Sequence, residues 1–318
     1  MPSYRMMTLA GLLSLTACSY DFERSSEIRD RRILAIQVEP PEVVGGAPLP
    51  DSVQARALVV DPADPLAAPT VSWRSCLRIP RAAADVGRAE NTLCPEDENT
   101  VLLTSGSAPL DSIALFAPLP PDLVGVLAAE SDVPALQLHV QLEVGSDRGP
   151  LVAVKQLTVT SRLPEGQEPN RNPVLQKLML DGTEWLPDTP LTLKYGECPD
   201  DRKKEVQAED GSLVRVCEHD LEPLFDEETQ SQFYEERGFS GELELQREIL
   251  RFAWFTDAGS FRRATTRQFD PRDPTPDNVG PQTSWREPAT RTERATVWVV
   301  VRDGRGGTAW ERREVIFE

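Results

Sequence analysis

ALQLHVQLEV, residues 135–144, alternates apolar and polar side chains without a break, and this alternation limits what the chain can fold into. Leu136, Leu138, Val140, Leu142 and Val144 share one face only if the backbone is extended, because successive side chains of a strand point to opposite sides. A helix would scatter them around its circumference. SVQARALVV repeats the pattern with Val53, Ala55, Ala57 and Val59. The 28 prolines fall mostly between such runs, which favours short strands and turns over long helices. The expectation is an all-β chain.

The strand candidates form two groups. Between 33 and 164 they are ILAIQVE, SVQARALVV, TVSWRSC, TVLLTS, ALQLHVQLEV and PLVAVKQLTVTS. EGQEPNRNP, 165–173, is polar and without period, and reads as a linker. The same pattern restarts over 174–318, where Asp210-Gly211 suits a hairpin turn. LFDEETQSQFYEERG is read as a short amphipathic helix using Leu224, Phe225, Phe233 and Tyr234. The final segment, ATVWVVVRDGRGGTAWERREVIF, places two strands around Asp303-Gly304-Arg305-Gly306-Gly307.

This ending resembles the last two strands of an immunoglobulin-like or polycystic-kidney-disease-type domain. LRFAWFTDAGSF resembles the strand of such domains that carries a core tryptophan, here Trp254, and TVSWRSC offers Trp73 in the first half. The resemblance implies two tandem immunoglobulin-like β-sandwich domains, 33–164 and 174–318, with a short helical insert in the second. The Cys-Trp-Cys spacing of antibody domains is absent, and the long insert from Pro199 to Gly241 departs from a compact module.

The N-terminus carries a different message. TLAGLLSLTA, ending at Ala17, is shorter than the ~20 apolar residues a spanning helix needs, and follows a start with one charge, Arg5. That is the form of an export signal. Leu15-Thr16-Ala17-Cys18 resembles the lipobox of bacterial lipoproteins, against the alternative of an ordinary secretory signal with a fortuitous cysteine. The resemblance implies removal of residues 1–17 and lipidation of Cys18, with two or three acyl chains giving a stable anchor. Ser19 in place of Asp implies sorting to the outer membrane. The polar stretch from Cys18 to 32 reads as a membrane tether, reaching no more than ~50 Å.

Five cysteines are an odd number; setting Cys18 aside leaves Cys76, Cys94, Cys198 and Cys217. Three pairings are open to them. Pairing 76–94 and 198–217 keeps each bond inside one half, and loops of that length contribute ~3 kcal/mol each. Zinc, the rival use, wants closely spaced cysteines or histidines, and the chain has only His139 and His219.

Little in the sequence points to catalysis. A net charge of −18 with no polybasic tract argues against nucleic acid. His139 falls on the face opposite the leucines and reads as a half-exposed structural residue. His219 lies beside Glu218 and Asp220, with no nucleophile elbow in the chain. DPRDPTPDNVG, residues 270–280, offers carboxylates for calcium, but its spacing is not that of an EF-hand. Trp254, Trp298 and Trp310 read as core residues, since a sugar platform would need them on an outer face. The resulting expectation is a lipid-anchored, outer-membrane protein of the cell envelope, acting without cofactor as a non-catalytic binding or scaffolding module for a protein or glycan partner. A calcium-dependent adhesin or carbohydrate-binding lipoprotein is the alternative, and a carboxylate-based hydrolase is third.

Overall fold

The computed structural model describes residues 25–45, 49–78, 93–96, 100–120, 123, 135–160, 163, 166–208, 210–226, 230, 232–237, 243–270, 273, 275 and 279–318. The signal segment and Cys18 lie outside the described residues, as does most of 270–280. The first half contains β1 (Arg32–Glu39), β2 (Glu42–Val44), β3 (Ser52–Val60), β4 (Thr70–Arg78), β5 (Thr100–Ser107), β6 (Ala114–Pro118), β7 (Ala135–Val144) and β8 (Leu151–Thr160). One sheet has the order β1-β3-β6 and the other β2-β8-β7-β4-β5. Their facing sides make one core. Ile36, Val38, Val53 and Ala55 from one sheet meet Trp73, Leu138, Val140 and Leu142 from the other.

The second half contains β9 (Lys177–Leu180), β10 (Thr183–Glu184), β11 (Leu191–Leu193), β12 (Lys203–Gln207), β13 (Leu213–Leu224), β14 (Phe233–Arg237), β15 (Leu243–Arg247), β16 (Arg251–Thr256), β17 (Ser260–Phe261), β18 (Thr265–Arg267), β19 (Thr283–Arg286), β20 (Arg294–Arg302) and β21 (Thr308–Phe317). Here the orders are β10-β9-β13-β19-β17 and β11-β21-β20-β16-β18. The two halves repeat one plan. A penultimate and a last strand form a hairpin, and a short early strand runs parallel to the last one, β2 with β8 and β11 with β21. Antiparallel β9-β13-β19-β17 packed on β16-β20-β21 is the strand order of an immunoglobulin-like sandwich.

The helical insert expected over 224–238 does not run through Phe233 and Tyr234. Phe233–Arg237 is β14, paired antiparallel with β15; of the residues before it, Gln230 is helical and donates its N–H to the Asp226 carbonyl at 2.9 Å, the length of one turn. Four apolar residues split into two distant couples cannot make a helical stripe, and an isolated helix of this length is marginal. Aromatic Phe233 and Tyr234 suit a strand better.

At the seam between the halves one further expectation changes and another takes a more exact form: Trp298 is a core residue, with Trp310 packed against it, but of a third cluster. Ser26, Glu27 and Ile28, assigned to the tether, run alongside β16 instead: Ile28 donates its N–H to the Thr256 carbonyl (2.8 Å), and Thr256 donates to that of Ser26 (2.9 Å). Ile28 is fully buried. Trp298 and Trp310 do not join the second core. In β20, Ala295, Val297, Val299 and Val301 face the second core. Trp298 and Val300, on the opposite face, pack with Ile28, Leu34, Ala35 and Val60, with Trp310 beside them. A strand buried on both faces has no polar side to show, hence the unbroken VWVVV.

Candidate functional site

Two buried clusters of ionisable side chains are the places where chemistry could reside. The first is built around His219 on β13. Asp181-Gly182 forms the two-residue turn between β9 and β10, with φ of 52° and 77°, the left-handed geometry that Asp-Gly hairpins adopt. This turn aims Asp181 at the imidazole. Nδ1 of His219 lies 2.7 Å from Asp181 Oδ2, and Nε2 lies 3.4 Å from Glu287 Oε1. Glu287 Oε2 accepts the backbone N–H groups of Gly196 and Cys217, both at 3.0 Å. Arg202 pairs with Asp181 from the other side.

Burial alone would pull the His219 pKa down, but hydrogen bonds and charge from Asp181 and Glu287 outweigh it and push it up to about 9. Burial raises Asp181; its bonds from His219 and the Asp220 N–H reverse this and hold the carboxyl low. The imidazole is therefore a cation at neutral pH, with a carboxylate on each nitrogen. A general base needs a free lone pair and a nucleophile within reach. His219 has neither. Cys217, His219 and Glu287 are the one group among the described residues close enough to share a metal ion, but Cys217 is bonded to Cys198. A half-cystine supplies no thiolate. The cluster is an ion-paired brace beside a disulfide.

The second cluster lies at the seam. Arg305, in the turn between β20 and β21, donates to Glu248 Oε1 (2.8 Å) and to Glu42 Oε2 (2.9 Å), with its guanidinium over the Tyr234 ring. Glu42 also accepts from the Thr160 hydroxyl (2.8 Å) and the Asn170 N–H (2.7 Å). Asn172 donates to the Val38 carbonyl and accepts from the Thr308 N–H, both at 2.8 Å. Of the expected polar linker 165–173, residues 166–173 are described and are pinned between the halves through Asn170 and Asn172, and Asn170 is buried. Gly307 permits this approach: a Cβ there would meet the Arg171 carbonyl at 2.8 Å and collide with Asp303.

Burial raises Glu248 to about 7, Asp303 adds to this, and Arg305 opposes it. Two close carboxyl groups, one with a raised pKa, are what a glycosidase requires. Here Arg305 occupies the space between them, and neither lines a described cavity.

The structure holds the bonds Cys76–Cys94 and Cys198–Cys217. His139, expected half-exposed, is buried, because the segment around Cys94 covers its face of β7: the Cys94 N–H bonds Gln141 Oε1 at 2.8 Å. The disulfide that brings this segment over was visible in the sequence; the lid it makes was not. In the loop 270–280, weighed above for calcium, Asp273 is engaged by Arg267, which with the Thr275 N–H holds its carboxyl down to about 2. Trp73, Trp185, Trp254, Trp285 and Trp298 are buried and Trp310 partly so, leaving no tryptophan platform for a sugar. No helix among the described residues is long and apolar enough to cross a membrane.

No family model matches the chain, and no curated protein does. Among solved structures, a chimeric titin Z1Z2-Z1Z2 tandem carrying a GRGDS peptide from fibronectin is 11% identical, covering 91% of this chain and 99% of that one, with a TM-score of 0.23. Dimeric latent PorU from Porphyromonas gingivalis is 10% identical over 91% of this chain and 24% of its own, at 0.21. Extracellular domains 3–5 of Drosophila OTK are 12% identical over 92% and 99%, also at 0.21. Such scores do not superpose whole molecules, and the fold assignment rests on the strand orders above.

Proposed function

We propose that this chain is an exported, lipid-anchored cell-envelope protein whose two immunoglobulin-like sandwiches act as one rigid, non-catalytic binding or scaffolding module. The observation that carries the reading is the use of the ionisable groups. The buried ones that resemble catalytic apparatus are each held by a structural partner: His219 by two carboxylates, and Glu42 and Glu248 by Arg305. The lipobox-like Leu15-Thr16-Ala17-Cys18 supports the anchor.

The docked N-terminal segment shapes how such an anchor would act. Ser26 is tied to Thr256 of the second half, so only residues 19–25 separate Cys18 from the folded body. That span reaches ~25 Å at ~3.5 Å per residue. The attachment point is the seam, so both halves sit near the membrane instead of one standing above the other. Cys18→Ala should leave the protein exported and move it from the membrane fraction to the soluble one. Wild-type sedimentation of that variant would sink the anchor. Crosslinking in intact cells followed by capture would identify the partner.

A further inference from the structure

A cavity of about 240 Å³ opens at the seam, walled by Ile33–Ile36 of β1 and Ala153–Lys155 of β8 and closed by Arg302 and Thr308 from the second half. Its two charged wall residues are both cations. Lys155 Nζ donates to the Thr308 hydroxyl at 2.8 Å, and Arg302 Nη2 donates to the Leu34 carbonyl at 3.0 Å. That carbonyl is free because the β1–β3 register shifts between Ile33 and Ala35. Neither cation has a carboxylate at ion-pair distance among the described residues, in a protein of net charge −18. The nearby Asp303 makes no ion pair with either: its Oδ1 accepts the N–H groups of Arg305 (2.8 Å) and Gly307 (2.9 Å), and its buried Oδ2, without a hydrogen-bond partner among the described residues, acts on Lys155 only through its charge.

We propose that this seam cavity is a binding site for a small phosphate-class dianion, clasped between Lys155 of the first half and Arg302 of the second. The chemistry favours a dianion over a carboxylate. Two positive charges from different walls are neutralised together, Lys155 as a point charge with rotatable donors and Arg302 as a planar fork that takes two oxygens. Burial pulls Lys155 down to about 8, with Asp303 opposing and Arg302 adding to the shift, so an anion relieves a cation held at a cost. The ligand would bridge the halves and tighten the seam. This site is independent of the envelope reading above.

Titration calorimetry of the detergent-purified full chain with inorganic phosphate, in low-chloride buffer, tests it. Saturable binding at one site per chain is expected. Lys155→Met and Arg302→Gln should each weaken the Kd by about tenfold or more, the scale of one lost hydrogen bond to a charged group. Lys177→Met, at an exposed ion pair with Glu184, should bind like the wild type. Arg302 is exposed, so its variant keeps the test informative if Lys155→Met does not fold. Phosphate should also protect Lys155 from an amine-acylating reagent, read by peptide mass spectrometry. Absence of saturable binding, wild-type affinity in Arg302→Gln, or no protection of Lys155 would overturn the site. Acetate binding as tightly as phosphate would overturn its phosphate class.

Discussion

The two halves share a strand order and differ in what they bury. The first core is aliphatic, with Trp73 alone among Leu, Val, Ile and Ala side chains. The second is aromatic: Trp254 stacks near Phe252 and Phe261, with ring centroids 6.5 and 6.0 Å away, and Trp285 near Phe317 at 6.1 Å. The second half also braces itself with a buried histidinium, His219. One topology therefore tolerates two quite different interiors. Hairpins and alternation set the layout, and side-chain volume needs only to fill the space between the sheets.

The largest expected effect tests that contrast directly. Trp254→Ala removes a ring from a stack and should destabilise the chain by ~4–5 kcal/mol, whereas Trp73→Ala, among aliphatic neighbours, should cost ~3 kcal/mol. Chemical denaturation followed by circular dichroism measures both. Equal losses would mean that the aromatic contacts add nothing beyond buried area.

The seam provides the next test. Arg305→Met leaves Glu42 and Glu248 buried without their cation and should cost ~3 kcal/mol. In scanning calorimetry the halves should then unfold in two steps instead of one, and adding Glu248→Gln should restore part of the loss. A single transition in Arg305→Met would show that the apolar contacts of Trp298 and Val300 couple the halves by themselves.

Acidity separates the two charged clusters more finely. His219 is raised to about 9 in the fold, so its stabilisation is fully present below its unfolded value of ~6.5 and is lost as pH rises through about 9. Glu248 is raised to about 7, so its contribution is present below ~4.5 and lost as pH rises through about 7. Each window is worth on the order of 3 kcal/mol at most. The seam should loosen first on alkalinisation, the second core later. His219→Gln should abolish the upper window in melting temperature and Glu248→Gln the lower; unchanged windows would refute the assignment.

The smallest effect lies within the joining segment. Arg171 pairs with Glu168 at the surface, and Arg171→Ala should change stability by less than ~0.5 kcal/mol. Asn170→Pro, one residue earlier, removes the buried backbone N–H that Glu42 accepts and should cost more than ~1 kcal/mol, the scale of leaving a buried charge short of one hydrogen bond. Similar losses for both would place the segment outside the packed seam.

Much of the fold was written locally. Alternation in ALQLHVQLEV and in SVQARALVV specified strands, Asp210-Gly211 and Asp303-Gly304 marked hairpin turns, and cysteine spacing suggested bonds within each half. These signals are legible because a strand's period and a turn's backbone geometry depend on neighbouring residues. The candidate sites were not legible in that way. His219 meets carboxylates 38 and 68 residues away, and Arg305 meets Glu42 across 263 residues. The aromatic pair Phe233-Tyr234 leans locally towards a strand, and pairing with β15 fixes it as β14. In sequence the apolar run of β20 reads only as one strand of the closing hairpin, and the packed structure shows that both its faces are buried, the outer one under β1 and β3. Periodicity records that a face must be buried, and only tertiary packing decides against what.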